Sequence, residues 1–344
     1  FLMIRRPPRS TLFPYTTLTD LVEEVVCHAP ADWAASLTRL EAAARSGAWV
    51  ALAASYELGY VIEPHLARHL PPDAGPLLTG WIFRHAEWLA DAACDAWLAV
   101  RAGKDAGCTG ALQPNIEKAD YLRQIDRIRR YITDGDCYQV NFTFPLTGQA
   151  FGNPAALYRA LRAAQPVRYG AFIAHAGGAI LSRSPELFLA RNGSHLASEP
   201  MKGTAPRNTD PARLAASEKD RAENVMIVDL IRNDMGRLAP PGGVRVENLC
   251  HVEAYPTVWQ MSSRVVAEPV DADLATLFRA LFPCGSITGA PKIRAMEIIR
   301  ELEDTPRGLY CGTLGGLRPG GDFRFSVPIR TLLLDAAGKA RLNV

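Results

Sequence analysis

Residues 179–207 read AILSRSPELFLARNGSHLASEPMKGTAPR, and this stretch carries the main evidence for the fold. An apolar run, a break at Pro185 and a second apolar run are typical of two consecutive strands. With the apolar run before them, they give strand candidates at 169–175, 179–182 and 186–190. Over the whole chain, predicted strands outnumber helices, and the helices do not alternate regularly with them. We therefore predict an α+β fold with large, mostly antiparallel sheets rather than a doubly wound sheet.

Hydrophobic periodicity predicts the elements of the remaining chain. Predicted helices cover residues 33–46, 118–134, 154–165, 217–238, 274–282 and 291–302. Further predicted strands cover residues 49–56, 137–144, 244–252, 257–266, 310–317 and 323–334. In the strand at 137–144, alternation places one set of side chains on a common face: Tyr138, Val140, Phe142 and Phe144.

The composition is that of a globular protein without a nucleic-acid or membrane partner. The chain has 344 residues, 48% of them hydrophobic and 22% charged, enough for one large domain or two ordinary ones. The net charge of +2 favours neither nucleic acid nor an acidic membrane surface, and no apolar run approaches the roughly 20 residues that span a bilayer. The seven cysteines are scattered and never form a C-x-x-C pair, so we expect a cytoplasmic location.

The two ends of the chain read differently from the rest. Residues 1–18, FLMIRRPPRSTLFPYTTL, contain no acidic residue and are interrupted by prolines, so we expect a non-native or disordered segment. Residues 341–344 fall in the middle of a predicted strand, so we expect the sequence to be a C-terminally truncated fragment.

Lys202 is the first candidate for chemistry. It stands beside Gly203, and a lysine at a strand end can project into a cleft where desolvation favours the neutral amine. A neutral amine can act as a nucleophile or a base. The alternative is an ordinary solvated loop lysine.

Carboxylates supply the next candidates. Glu186 follows a proline break at a strand start, and the alternative reading is a solvated charge at a strand edge. Asp220 and Glu223 stand three residues apart and so share a helix face, which suits Mg²⁺ because that ion prefers oxygen ligands. A solvated helix face balanced by the adjacent basic residues is the alternative.

Residues 285–289, GSITG, resemble an anion cradle of small residues just before a helix N-terminus. The segment is not a Walker loop, because it lacks the GxxxxGK[ST] spacing. No GxGxxG or HExxH pattern occurs, and with seven histidines in the chain we do not expect metal binding through imidazole.

Taken together and in order, the motifs carry a family resemblance. They are SRSPELFL, EPMKGTAPR, KDRAENVMIVDLIRNDMGRL, PCGSITGAPKIRAMEIIRELE, RGLYCGTLGGL and FSVPIRTLLL. From about residue 121 to its end the chain resembles the chorismate-utilising enzymes, which include anthranilate synthase component I, aminodeoxychorismate synthase component I, isochorismate synthase and salicylate synthase. The resemblance implies a four-layer α/β/β/α fold with two large packed sheets. It also implies that residues 19–110 form the N-terminal region and residues 111–344 an incomplete chorismate-binding catalytic region.

Three positions distinguish the members of this family. Gln139 stands where isochorismate and salicylate synthases carry a lysine that activates water, which argues against adding water to chorismate. Lys202 stands in PMKGT, as in aminodeoxychorismate synthases, where anthranilate synthases have alanine in PIAGT. Thr257 stands in YPTVWQ, where anthranilate synthases carry a histidine in YSHVMH. The resemblance is therefore closest to aminodeoxychorismate synthase component I.

The resemblance also implies roles for individual residues. Lys202 would be a covalent nucleophile toward chorismate, and Glu186 the general acid for its 4-hydroxyl. Glu223, with Asp220 nearby, would bind Mg²⁺. Ammonia would come from a glutamine amidotransferase subunit, and the product would enter 4-aminobenzoate and folate biosynthesis. The expected substrate-binding residues are Gly203, Thr204, Thr288, Gly289, Tyr310 and Arg330.

Two departures from the family pattern shape the expectations. Asp220 stands where relatives often have glutamate, and the family's second metal-binding carboxylate pair lies in an EYEE-like segment beyond residue 344. We therefore expect residues 1–344 to bind Mg²⁺ poorly and to be nearly inactive. Two alternatives remain open: anthranilate synthase component I, and a non-catalytic chorismate-binding fragment.

Overall fold

A computed structural model describes residues 2–5 and 15–344, with side chains described from residue 17. Its helices are α1 (Trp33–Arg45), α2 (Leu58–Ile62), α3 (Asp91–Ala102), α4 (Lys118–Thr133), α5 (Pro154–Ala164), α6 (Pro211–Ala216), α7 (Glu218–Met235), α8 (Leu274–Leu281) and α9 (Lys292–Leu302). Its strands are β1 (Leu2–Arg5), β2 (Tyr15–Cys27), β3 (Trp49–Ala54), β4 (Leu78–Leu89), β5 (Gly107–Thr109), β6 (Gln113–Pro114), β7 (Gln139–Val140), β8 (Pro145–Gly152), β9 (Tyr169–His175), β10 (Gly178–Ser184), β11 (Leu187–Asn192), β12 (His195–Glu199), β13 (Met201–Pro206), β14 (Val244–Ala254), β15 (Val258–Ala267), β16 (Gly289–Ala290), β17 (Thr313–Leu317), β18 (Phe323–Ser326), β19 (Thr331–Asp335) and β20 (Lys339–Asn343).

Hydrogen-bond pairing divides the strands into two large sheets. The first sheet runs in the order β14–β15–β12–β11–β18–β17–β3–β4–β2, with β13 also paired to β15. The second runs β9–β10–β19–β20–β8, with β5 and β6 on β8. The short β1 pairs with β2 and β9 and so joins the two. All these pairings are antiparallel, which confirms the predicted α+β fold with large antiparallel sheets.

The strands near the centre are buried on both faces, and this gives the four layers. In β3, Val50, Leu52 and Ala54 pack in one core with α1 and α8, whereas Ala51 and Ala53 pack in a second core with β9 and β10. A third core lies between β10 and the helices α3 and α5. The order is therefore helices, first sheet, second sheet, helices, because successive side chains of a strand point to opposite faces.

Two segments cross side by side from one sheet to the other. The first joins β10 of the second sheet to β11 of the first and contains Glu186. The second joins β18 of the first sheet to β19 of the second and contains Arg330. Backbone hydrogen bonds tie the crossovers together, from the Val327 N–H to the Glu186 carbonyl (3.1 Å) and from the Arg183 N–H to the Arg330 carbonyl (3.0 Å).

Some predicted elements were wrong in extent. Residues 137–144 are not one strand: β7 covers only Gln139 and Val140, and the side chain of Tyr138 is exposed rather than aligned with a buried face. The backbone N–H of Thr143 donates instead to the carboxylate of Glu303, 3.1 Å away, so it is not available to a sheet partner. The predicted strand 323–334 is two strands, because the second crossover interrupts it.

Two expectations about the organisation of the chain, on residues 1–18 and on the boundary at residue 110, are not tested by the structure and stay predictions. Residues 1 and 6–14 lie outside the described part of the chain, and the remainder of 1–18 lies in β1 and β2. The division at residue 110 also stays a prediction, although β3 and β17, from the two sides of that boundary, pair along their length.

Within the described residues, no helix is both long and apolar enough to cross a membrane.

Candidate active site

Lys202 lies at a β-bulge. Met201 pairs with Ser262 and Thr204 with Gln260, so β13 has one residue more than β15 between these pairs. Gly203 has a φ of +95°, and a Cβ there would lie 3.0 Å from the Cβ of Asp220 in α7. Both the conformation and the close approach favour glycine. Bulges of this kind change the direction of a side chain and often occur next to a functional site. Here the redirected side chain is that of Lys202.

The amine of Lys202 faces a small network of amides. Its Nζ lies 3.5 Å from Oδ1 of Asn141, at the long end of the hydrogen-bond range, and Nε2 of Gln139 donates to the same oxygen over 3.1 Å. Asn141 Nδ2 donates in turn to the Ser286 carbonyl, 2.8 Å away. Asn141 therefore connects Lys202 to the GSITG segment.

Glu186 is a buried carboxyl, with 3% of its surface exposed. Burial raises its pKa to about 7, against the lowering effects of the Ser286 hydroxyl, which donates to Oε1, and of the positive charges of Lys202 and Arg330. A carboxyl that titrates near neutral pH can carry and release a proton at that pH, which is the property of a general acid.

Asp220 and Glu223 occupy the start of α7, as the sequence predicted. Ser217 is the N-cap of this helix, and its hydroxyl donates to Asp220 while accepting from the backbone N–H of the same residue. Glu223 is half-buried and forms no hydrogen bond or ion pair with a described residue. Within the described part of the chain, no group of three or more His, Cys, Asp and Glu side chains is arranged to hold a metal ion.

Asn224, next to Glu223, is a site residue that the sequence did not reveal. Its side chain is buried, and Nδ2 donates to the carbonyl of Lys202 over 3.4 Å. The Ser263 hydroxyl donates to its Oδ1. Asn224 therefore links the bulge of β13 to α7 and β15.

The predicted anion cradle is a buried turn rather than an open loop. The Thr288 hydroxyl donates within the turn to the carbonyls of Gly285 (3.2 Å) and Cys284 (3.4 Å), and the Thr288 N–H also points to Gly285. Gly289 pairs with Val140 of β7, and a Cβ on it would lie 2.1 Å from the Gln139 carbonyl. The segment is thus held against β7, where Gln139 and the network around Lys202 lie.

Arg330 and Tyr310 lie at other edges of the site. Arg330 has an exposed side chain and a φ of +52°, an uncommon conformation for a residue other than glycine that often occurs at functional sites. Its charge acts on Glu186, which places the two in one electrostatic environment. Tyr310 is half-buried, and burial raises its pKa well above the ordinary value.

Gln260, rather than Thr257, borders the bulge. Thr257 is exposed in the turn between β14 and β15, where it donates to Gln165 over 3.0 Å. Gln260 is buried; its Nε2 donates to the Gly203 carbonyl (2.9 Å), and its Oε1 accepts from Thr204 (3.0 Å).

The structure brings part of the predicted set together. Glu186, Lys202 and Arg330 interact electrostatically, and Gly203 touches Asp220. Within the described part of the chain, neither Glu223 nor Tyr310 is hydrogen-bonded to the other predicted residues, and the hydroxyl of Thr288 is used within its own turn. Sequence reasoning missed Asn141 and Asn224, and it named Ser286 only as part of the GSITG segment. A usable signal existed for Asn141, which follows Gln139 by two residues and so lies on the same side of an extended segment.

Known proteins resemble this chain in sequence over about two thirds of its length. The aminodeoxychorismate synthase component 1 of Klebsiella aerogenes is 44% identical over 248 residues, which is 69% of this chain and 55% of that protein. The anthranilate synthase component 1 of Streptomyces coelicolor is 40% identical over 229 residues, 64% of this chain and 45% of that protein. The chain therefore spans about half the length of these curated relatives.

The fold has a counterpart of known structure. Anthranilate synthase component I from Streptococcus pneumoniae superimposes with a TM-score of 0.80 over 95% of this chain and 85% of that chain, at 22% sequence identity. That likeness supports the four-layer fold. The family model for chorismate binding enzymes matches residues 27–344, nearly the whole described chain. As the sequence motifs predicted, the chain belongs to the chorismate binding enzyme family.

Proposed function

We propose that the chain aminates chorismate with ammonia to form 4-amino-4-deoxychorismate, a precursor of 4-aminobenzoate and folate. The observation that carries the proposal is the pairing of Glu186, a buried acid with a pKa of about 7, with Lys202 in one electrostatic environment. An acid and an amine together suit replacement of a hydroxyl. The similarity to aminodeoxychorismate synthases supports the same reaction.

The 4-hydroxyl of chorismate is a poor leaving group and needs a proton. Glu186 donates that proton, and the hydroxyl leaves as water. The amine of Lys202, which must be unprotonated to react, adds at C2 as the double bond shifts and the C4–O bond breaks, which gives a covalent intermediate. Ammonia then attacks C4 and displaces the lysine, so the nitrogen of the product comes from ammonia and Lys202 is regenerated.

Gln139 supports ammonia rather than water as the second nucleophile. Its Nε2 is bonded to Asn141, while its Oε1 is buried without a hydrogen-bond partner among the described residues. A buried acceptor without a partner favours a ligand that can donate to it, which both ammonia and water can do. The two differ in what they need: water must lose a proton to attack, and an amide, unlike a lysine amine, cannot serve as the base that takes it.

The charged and polar groups at the edge of the site, among them Arg330 and Tyr310, suit a substrate with two carboxylates. Arg330 offers a planar fork for one carboxylate, and Tyr310 would offer a hydroxyl donor. Around the bulge, the backbone and hydroxyl groups of Gly203 and Thr204 would complete the contacts, together with Thr288 and Gly289. These substrate contacts, like the catalytic roles, belong to the proposal.

Asp220 and Glu223 fit part of a Mg²⁺ site. Mg²⁺ is commonly held by one or two carboxylates, keeps several waters and takes its remaining ligands from the substrate. The oxygens of Glu223 are free of hydrogen bonds within the described chain, whereas Asp220 already accepts from Ser217. When bound, Mg²⁺ would neutralise the ring carboxylate of chorismate. Glu223 is therefore the proposed ligand, and Asp220 orients the start of α7.

A separate glutamine amidotransferase is the proposed source of ammonia. The relatives that the chain resembles carry the designation component 1, which implies a second component. Free ammonium replaces that partner in a test of the chain alone.

The decisive experiment incubates chorismate with the chain and, where its gene extends past codon 344, with the extended chain. Without ammonia, we expect mass spectrometry to find a chorismate-derived adduct on the peptide that contains Lys202. With Mg²⁺ and ammonium, chromatography should find 4-amino-4-deoxychorismate, in small amounts from residues 1–344 and in larger amounts from the extended chain. Lys202→Ala should abolish both results. Lys219→Ala, which removes an exposed lysine of α7, is the matched control and should retain them.

Two outcomes would overturn the proposal. Anthranilate as the product would assign the chain to the other reaction that its relatives carry out. Adduct formation and amination that persist unchanged in Lys202→Ala would remove the covalent role of the lysine.

A further inference from the structure

Arg307 is among the most buried large side chains of the described protein, with 2% of its surface exposed. Its guanidinium donates to both carboxylate oxygens of Glu303, from Nε over 2.9 Å and from Nη2 over 2.7 Å. The same group reaches two backbone carbonyls, with Nη1 3.2 Å from that of Ile287 and Nη2 2.6 Å from that of Asn141. A buried arginine with this many bonds fixes the segments it joins.

The two carbonyls belong to the two arms of the candidate site. Asn141 carries the amide that faces Lys202, and Ile287 follows Ser286, whose hydroxyl donates to Glu186. The arms also bond to each other, since the Asn141 N–H donates to the Thr288 carbonyl over 3.0 Å. Arg307 therefore lies behind both the amine arm and the acid arm without touching either catalytic group.

Arg307 is itself held from the N-terminal part of the chain. The buried carboxylate of Glu57 accepts from the backbone N–H of Arg307 (2.7 Å) and from that of Gly308 (3.0 Å). The Tyr56 N–H donates to the Gly308 carbonyl (2.8 Å), and the ring of Tyr56 lies 4.4 Å from the guanidinium carbon. These contacts fix the backbone that carries the arginine.

We propose that Arg307 is a positioning residue that sets the Lys202 and Glu186 arms in register with each other. The proposal rests on the catalytic roles proposed above for those two residues. One planar guanidinium bonds to the carbonyls of both arms and to Glu303, so their relative positions follow from its fixed geometry. Lysine would keep the positive charge but could not bond to three separate acceptors in one plane.

The test compares Arg307→Lys with a matched control, Arg191→Lys. The side chain of Arg191 is 9% exposed, pairs with Glu41 and donates to the Ala272 carbonyl, but it lies outside the site. Hydrogen–deuterium exchange is followed by mass spectrometry in peptides that cover residues 138–143 and 285–290. We expect Arg307→Lys to speed exchange in both peptides by about tenfold or more, because bonds to a charged group are lost there. Arg191→Lys should leave both peptides at the wild-type rate.

Equal exchange in the two variants would overturn the proposal, because it would reduce Arg307 to a general contribution to stability. If Arg307→Lys does not fold, Glu57→Gln replaces it, and we expect faster exchange in the same two peptides, with a smaller factor. The exchange result does not depend on chorismate. If neither residues 1–344 nor the extended chain aminated chorismate, the proposed function would be disproved, while the exchange data would still decide whether Arg307 holds the two arms.

Discussion

Glu186 and Glu303 are both buried glutamates, with 3% and 8% of their surfaces exposed, but they are surrounded differently. Glu303 receives two bonds from the guanidinium of Arg307 and one from the backbone N–H of Thr143. Glu186 accepts from the Ser286 hydroxyl, and the backbone N–H of Met201 also favours its charged form, but it has no ion-pair partner within 4.0 Å in the described chain.

The difference shows how one fold uses a buried carboxyl in two ways. Burying a charge is unfavourable unless a partner compensates for it. Burial raises the pKa of Glu303 as well, but the guanidinium of Arg307 opposes the rise, and the carboxylate in turn holds Arg307. Glu186 has no such ion pair, so the neutral acid is favoured up to about pH 7 and a proton is available for transfer. The same substitution should therefore have opposite effects at the two positions.

Glu303→Gln should give the largest effect. The substitution leaves the buried guanidinium of Arg307 without its counter-charge, and breaking a buried pair in this way typically destabilises a protein by about 3–5 kcal/mol. Urea denaturation at pH 8 measures the loss of unfolding free energy. A change below about 1 kcal/mol would mean that the backbone carbonyls alone compensate Arg307, and the contrast between the two glutamates would disappear.

Glu186→Gln should stabilise the protein at high pH. Burial raises the pKa of Glu186 from 4.5 to about 7, so the folded protein holds this proton more tightly than the unfolded chain does. Its contribution to stability is therefore lost as the pH rises from about 4.5 through about 7, by about 3 kcal/mol in all. Glutamine removes that loss and still accepts from Ser286.

The measurement is again urea denaturation, of wild type and Glu186→Gln at pH 8 and near pH 4.5. The variant should be more stable at pH 8, and the difference should vanish near pH 4.5. A variant that is less stable than the wild type at pH 8 would contradict an uncompensated charge at Glu186.

Ser286→Ala should give the smallest effect, on the pH dependence of the reaction. The hydroxyl of Ser286 favours the charged form of Glu186, so its removal raises the pKa of that carboxyl further. A general acid would then stay protonated to higher pH, and the high-pH limb of kcat/KM should move up by about one pH unit. Ser182→Ala removes a buried hydroxyl that bonds to Thr331, and it is the matched control. An unchanged limb in Ser286→Ala would assign the titration to another group.

Local sequence signals predicted most of the elements and the family. The helix after Asn153 is correct because Asn153 is a true N-cap that accepts from the backbone N–H of Ala155 over 2.8 Å. The predictions of α4 and α7 are correct for a different reason: their apolar residues recur with a helical period over several turns.

The geometry of the site depends on contacts that no local signal contains. The bulge at Lys202 exists only in the pairing of β13 with β15, some 60 residues further on. Glu186 is buried because β11 packs within the first sheet, and its bond to Ser286 joins residues 100 positions apart. The prediction of 137–144 as one strand was wrong because the Thr143 N–H donates to the carboxylate of Glu303 rather than to a sheet partner. Each of these features needs the assembled fold.

The paired crossovers have a consequence for how such an enzyme can change. Glu186 and Arg330 lie on the two segments that pass between the sheets, and backbone bonds tie those segments together. Neither residue belongs to one sheet alone. Recombination that exchanged a single sheet between relatives would separate the acid from the arginine, so the two sheets have to be inherited as a unit.

A break in the exposed turn at Gly320, between β17 and β18, leaves both crossovers intact and is the better place to open the chain for circular permutation.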